Sequence, residues 1–337
     1  MQKADAVFEG GGVKGIALIG ALRAFEEAGF QWQNLAGTSA GAITAALAAV
    51  GYTAVELKAV MDTRVDFRRF MDPAGIGRLP YVGPWLSMLF TRGMYQGDYF
   101  LKLMRQLISE KAGKDNVTFR DLIVPKEPGD SDEDYERKYK YRLKVVVSDI
   151  SGNQMLVLPQ DVALLGVDPD DLDVALAVRM SMSIPFFFKP VIFGEGDHKH
   201  GRHWLVDGGM LSNFPIWLFD SPAGQIPAWP TIGFLLWEPG SEKSRYERIR
   251  GLISMTAAMV RTMTSAHDRK ALGQADLSRI VKIPTGKYTT TDFGLDQDDR
   301  DWLFESGYRA AGTFLEAWSM AGYVEQRVKQ AQKHTGA

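Results

Sequence analysis

Two glycine-rich turns within the first 41 residues, each set between an apolar run and a helical pattern, constrain the fold more than any other feature. The run Ala4 to Phe8 ends in Gly10-Gly11-Gly12-Val13-Lys14-Gly15, and a helical pattern follows from about Val13 to Ala28, where Gly29 stops it. Asn34 to Ala36 reads as a second strand, and Gly37-Thr38-Ser39-Ala40-Gly41 turns it into an Ala-rich helix closed by Gly51. That helix is apolar on nearly every side, which predicts burial. Thr53 and Glu56 have the spacing of a capping box opening a third helix. Strand, turn, helix, strand, turn, helix is the opening of an α/β protein with a parallel sheet.

Further along, Asp98 is expected to cap a helix reaching about Ala112, and the charged stretch from Lys126 to Lys140 to form a solvated loop. "YRLKVVVSD" and "NQMLVLP" read as two strands joined at Ser151-Gly152-Asn153. A helix is expected from Asp171 to "MSMSIPFFF", further strands at "HWLVDGG", "TIGFLLW" and "RIVKIP", and long helices at about 246–272 and 297–320. There is no internal repeat or credible linker, so the expectation is one domain over 1–325 and a polar tail over 326–337.

Composition removes whole classes of function. Lys and Arg number 39 against 41 acids, and a net charge of −2 gives no electrostatic case for a nucleic-acid partner. With no cysteine, thiolate nucleophiles, disulfides and Cys-ligated zinc are all excluded. The N-terminus lacks a signal-peptide pattern and no apolar run is long enough to span a bilayer, so a cytoplasmic protein that meets membranes only at their surface is expected.

Gly10, Gly12 and Gly15 spell a dinucleotide fingerprint, but that fingerprint needs an acid at the end of the second strand, and Asn34-Leu35-Ala36 supplies none. No cofactor is therefore expected. Gly37-x-Ser39-x-Gly41 instead matches a nucleophile elbow, a turn that lifts a serine hydroxyl clear of the backbone and points a helix N-terminus at it. The plainer reading is a strand–helix turn with a capping serine. Neighbouring parallel strands end on one edge, so the two glycine turns should lie side by side, with glycine N–H groups available to an oxyanion. None of the five histidines is an obvious base. His198, His200 and His203 lie in what reads as a polar hairpin tip, too incomplete for a metal site, and His334 is in the tail. His267 is late in a helix. Asp207 ends the strand "WLVD" before Gly208-Gly209, where it either caps the turn or takes a serine proton directly.

Together these residues resemble the patatin-like phospholipases: G-G-G-x-[KR]-G at Gly10 to Gly15, G-x-S-x-G at Gly37 to Gly41, and D-G-[GA] at Asp207 to Gly209. A serine block before a proline, Ser181 to Pro185, and the continuation "DGGMLSNFP" agree. The resemblance implies a three-layer patatin-like α/β fold, with a central mostly parallel sheet flanked by helices. It also implies a Ser–Asp dyad lipid acyl hydrolase without metal or cofactor. Carried over by position, Ser39 is the nucleophile and Asp207 the general base. Gly10, Gly11, Gly12 and Gly15 form the oxyanion loop, with Lys14, Gly37, Gly41, Gly208 and Gly209 in support. Lys14 has two open roles, pairing with an acid to orient the loop or favouring a nearby phosphate.

The implied partner is a phospholipid or other acyl-ester lipid at a membrane surface. The 79–95 segment, with Trp85, Leu86 and Phe90, reads either as a lid over the site or as a buried loop, and Phe186 and Phe187 either line an acyl pocket or belong to the core. Met255, Met259 and Met263 share one helical face, as core or as a partner surface. Two rival functions are an α/β-hydrolase-type esterase using His267 in a triad, and a patatin-like effector switched on by a signal or partner.

Overall fold

The computed structural model describes residues 2–72, 93–127, 131–194, 201–220, 227–238, 277–290 and 292–326, together with 258 and 262. The parallel strands are β1 (Gln2–Phe8), β2 (Phe30–Gly37), β4 (Leu143–Asp149), β9 (Thr231–Trp237) and β10 (Ile280–Pro284). They lie in the order β10-β9-β1-β2-β4 with every neighbouring pair parallel. Side chains alternate across the sheet. Ala4, Ala6 and Phe8 of β1 join the main core on one face, while Val7 joins a smaller cluster with Ala36, Val146 and Phe214 on the other. Burial on both faces is why these strands read as continuous apolar runs.

Helix α1 (Ile16–Glu27) follows a 3-10 turn at Gly12–Gly15, and α2 (Ala40–Ala49) and α3 (Ala54–Thr63) follow in turn. The Thr53–Glu56 capping box is formed on both sides. A short β3 (Gly93–Tyr95) leads into α4 (Asp98–Ala112), and α5 (Val174–Ser181) precedes β6 (Phe186–Phe188), which pairs with β3 in a separate ribbon. The last long helix, α6 (Gln297–Ala317), crosses α1 backbone to backbone. A Cβ on Gly20 would stand 1.8 Å from the Phe304 carbonyl oxygen, and one on Gly307 1.8 Å from that of Ala17.

The end of the sheet changes direction. β5 (Gln154–Leu158) lies antiparallel along one edge of β4, and the hairpin of β7 (Val191–Phe193) and β8 (His203–Asp207) approaches the other. β2 and β8 share that second edge. Gly37, the last residue of β2, stands opposite Val145, and Asp207, the last of β8, opposite Val147. The two strands therefore run head-on, and their C-terminal ends stop two β4 residues apart, about 7 Å at the rise of a strand.

Several boundaries differ from expectation for local reasons. β2 begins at Phe30, four residues before the strand read from the sequence, because Phe30-Gln31-Trp32-Gln33 alternates between buried and more open positions. Asp98 is the first residue of α4 and not its cap, since Gly97 takes the cap position with φ of 74°. Asp171 lies in a 3-10 turn, and the helix after it starts at Val174, capped by Asp173 through the Leu176 N–H. The charged connector is not a solvated loop throughout: Asp132–Tyr139 coils into helical turns, and Lys138 is buried in an ion pair with Asp134 at 2.9 Å. The helix expected at 246–272 falls almost wholly outside the described residues.

Candidate active site

Ser39 sits where β2 turns into α2, with φ 53° and ψ −124°, a strained conformation for a residue with a side chain. Its side chain makes no capping hydrogen bond, so the capping-serine reading does not hold. The turn is as tight as its glycines permit. A Cβ on Gly41 would come within 2.2 Å of the Phe8 carbonyl oxygen, and one on Gly37 within 2.3 Å of Gly41 itself. The first turn of α2 thus lies against the end of β1, where the glycine loop begins. The two turns are side by side, as parallel pairing of β1 and β2 requires.

In the glycine loop, the Gly10 N–H donates to the Asn213 carbonyl (3.1 Å), the Val13 N–H to the Thr290 carbonyl (3.2 Å) and the Lys14 N–H to the Gly11 carbonyl (3.2 Å). The Gly11 and Gly12 N–H groups have no partner among the described residues. Gly10, expected among the donors, is thereby committed elsewhere. Its value is its lack of a side chain, since a Cβ there would fall 2.2 Å from Asn213 Oδ1 and 3.1 Å from the Ser39 Cβ. Gly12 has φ of +57° and faces the Thr290 carbonyl with no room for a side chain. Gly15 closes the 3-10 turn against Ala40. Of the two roles open to Lys14, the structure supplies the partner for one: its buried ammonium pairs with Glu238 at 3.0 Å.

Asp207 is 6 % exposed. Its N–H donates to the Ser183 carbonyl (3.0 Å), and its Oδ1 accepts from the Gly209 N–H (2.7 Å), so it does cap the turn at Gly208–Met210. The Ser39 hydroxyl acts on this carboxyl, favouring its charged form. Burial raises its pKa to about 6, against the opposing hydrogen bonds from Ser39 and the Gly209 N–H. The Ser39 hydroxyl donates to Met182 Sδ at 3.5 Å.

The serine block supplies struts. Ser181 Oγ donates to the Val146 carbonyl (2.7 Å) and accepts from the Ser39 N–H (2.9 Å), so the elbow is referenced to the β4 residue between the two strand ends. Ser183 pairs with the buried Arg179 guanidinium, which also donates to the Gly97 and Lys189 carbonyls. Ser181→Ala strands a buried N–H and leaves the Val146 carbonyl short of a donor, and is expected to cost about 1–3 kcal/mol in denaturant melts.

Other expected residues fall elsewhere. His203, read as part of an exposed tip, is on β8 with Nδ1 2.7 Å from Asp149 Oδ2. Burial pushes the Asp149 carboxyl up, but His203 and the Gly152 and Ser151 N–H groups outweigh it and hold the group below its usual range. Phe186 is 45 % exposed with φ of 64°, while Phe187 is half-buried between Tyr95 and Phe293, with ring centroids 4.8 and 5.1 Å away. Trp85, Leu86, Phe90 and His267 lie outside the described residues, as do His198, His200, Met255, Met259 and Met263. Among the described residues no group of His, Asp and Glu could hold a metal ion, and no helix is long and apolar enough to cross a membrane.

A family model described as Patatin-like phospholipase matches residues 6–220. The chain is 37% identical over 316 residues to the uncharacterized protein YqhO of Bacillus subtilis (strain 168), covering 94% of this chain and 99% of that one. It is 21% identical over 344 residues to patatin-like phospholipase domain-containing protein 7 of Mus musculus, covering 97% of this chain and 21% of that longer protein. Among solved structures it is similar to VipD from Legionella pneumophila, with a TM-score of 0.54 and 17% identity over 94% of this chain and 67% of VipD, a likeness of fold. The elbow, the glycine loop and the aspartate turn all fall inside the matched span, and the chain belongs to the patatin-like phospholipase family.

Proposed function

We propose that this protein hydrolyses the carboxylic ester bonds of lipids, phospholipids or lysophospholipids above all, through an acyl-enzyme on Ser39 with Asp207 as the general base. The observation that carries this reading is a strained, non-capping serine just past the end of β2, with the buried Asp207 carboxyl, raised to about 6, at the end of β8 two β4 residues away. A base near that value is ionised at neutral pH yet more basic than an ordinary aspartate, which suits direct proton transfer from a hydroxyl.

Ser39 Oγ attacks the ester carbonyl while Asp207 takes its proton. The Gly11 and Gly12 N–H groups receive the oxyanion, and α2 turns the positive end of its dipole toward the same place. The proton returned by Asp207 leaves with the alcohol. Water, deprotonated by Asp207, then attacks the acyl carbonyl, and the fatty acid is released as the acyl–Oγ bond breaks and Asp207 returns the proton to Ser39 Oγ. Family membership supports a lipid ester as substrate. Exposed Phe186, three residues after the Ser183 whose carbonyl holds Asp207, would offer an acyl chain apolar surface.

The purified protein is expected to release free fatty acid and lyso-products from mixed phospholipid vesicles, read by mass spectrometry. A fluorophosphonate probe should add to Ser39, as peptide mapping would show. An adduct on another serine, or no release from any lipid class, would overturn the proposal.

A further inference from the structure

The three parts of the dyad site come from three separate stretches of chain, and one side chain outside all of them touches two. The Asn213 carbonyl accepts from the Gly10 N–H (3.1 Å), and its Nδ2 donates back to the Gly10 carbonyl (3.1 Å) and to Glu9 Oε1 (3.1 Å). Both amide hydrogens thus have acceptors, which fixes the orientation of the side chain. Its Oδ1 lies between the two turns: a Cβ on Gly10 would fall 2.2 Å from it and one on Gly209 2.9 Å, the latter also 3.0 Å from Asp207 Oδ1. Glu9 is held in turn, its Oε2 accepting from the Leu236 N–H of β9. The residue before Asn213 ties in the elbow, since Thr38 Oγ1 donates to the Ser212 carbonyl (3.0 Å).

We propose that Asn213, held by Glu9, is a positioning residue that locks the oxyanion glycines to the Asp207 turn and so sets their placement around Ser39. The proposal rests on the ester-hydrolase reading of Ser39 and Asp207. Asn213 touches no reacting atom. It pairs through main chain and side chain with Gly10, next to the Gly11 and Gly12 donors, and its oxygen abuts the turn that carries the base. A displacement of about 1 Å at such a site costs roughly 100-fold in rate. Asparagine is required over aspartate because the amide must donate to a carboxylate and a carbonyl at once. Among the described residues, the titratable groups facing it are Glu9 after β1 and Asp207 at the end of β8, while Lys14 is already paired with Glu238.

The test compares wild type, Asn213→Ala and Asn213→Asp on a soluble p-nitrophenyl butyrate substrate from about pH 5.5 to 8.5, with fluorophosphonate labelling rates alongside. Asn213→Ala is expected to lower kcat about 100-fold at every pH with KM changed less than about threefold, the mark of lost transition-state placement. Asn213→Asp puts a second carboxyl beside Glu9. At low pH the two share a proton and keep the link, and as pH rises they repel. Its kcat relative to wild type should therefore fall at least tenfold from about pH 5.5 to about pH 8.5. A flat ratio across pH, or wild-type kcat in the Ala variant, would overturn the positioning role while leaving the dyad standing. Wild-type protein inert to both the ester and the fluorophosphonate would overturn the hydrolase reading and this inference with it.

Discussion

Ser39→Ala is expected to lower kcat for ester hydrolysis by about 10⁵- to 10⁶-fold and to abolish fluorophosphonate labelling, because loss of the nucleophile forfeits the covalent route and leaves only binding and the oxyanion donors. The variant should fold. Alanine meets the same steric cost at φ 53° as serine does, and the hydroxyl it removes caps nothing. A structural role would show as lost stability with proportionate loss of activity. The catalytic role predicts unchanged melts and activity at background. Residual turnover within tenfold of wild type in a folded variant would move the nucleophile elsewhere.

Asp207→Asn is expected to reduce kcat by about 10⁴-fold and, at neutral pH, to stabilise the fold. The sign follows from linkage. The carboxyl is raised from 3.8 to about 6 on folding, so between those values the native state binds the proton more tightly than the unfolded chain, and stability falls as pH rises through that window. Above about pH 6 the full cost of the buried charge is present, about 3 kcal/mol. An asparagine carries no such charge. The stability difference between variant and wild type should thus grow from about pH 4 to about pH 6 and level off above. Wild-type kcat/KM should fall tenfold per unit below about pH 6. Urea melts at a series of pH values and initial rates on a soluble ester read both effects. Full activity in the folded variant would remove Asp207 as the base, and a pH-independent stability difference would remove the burial argument.

The parts of this site that the sequence made legible are those in which a residue type is forced by its own backbone. Gly41 must admit the Phe8 carbonyl and Gly12 must take a positive φ, so glycine stands there and marks the turn. The Thr53 box and the strand at "KVVVSD" were readable for the same local reason. What escaped works across distance. Glu238, just after β9, and Thr290, six residues beyond β10, reach the glycine loop, and nothing near either in the chain announces it. Asn213 had a faint signal in "DGGMLSNFP", but its link to Glu9 spans 204 residues and only the fold brings them together. His203 was misread because the acid that pairs with it is on β4, and the start of β2 because its polar residues alternate with buried Phe30 and Trp32.

The head-on arrangement of β2 and β8 makes β4 a ruler. The strand ends that carry Ser39 and Asp207 are referenced to two β4 residues, Val145 and Val147, so their separation follows the spacing of those residues, with Ser181 and Ser183 bracing the two ends. The loops between α2 and β7 can be lengthened or exchanged without changing this spacing, provided β4, the serine block after α5 and β8 still dock in register. A one-residue slip of β8 would be fatal where a long inserted loop would not, for it would turn Asp207 to the opposite face of the sheet.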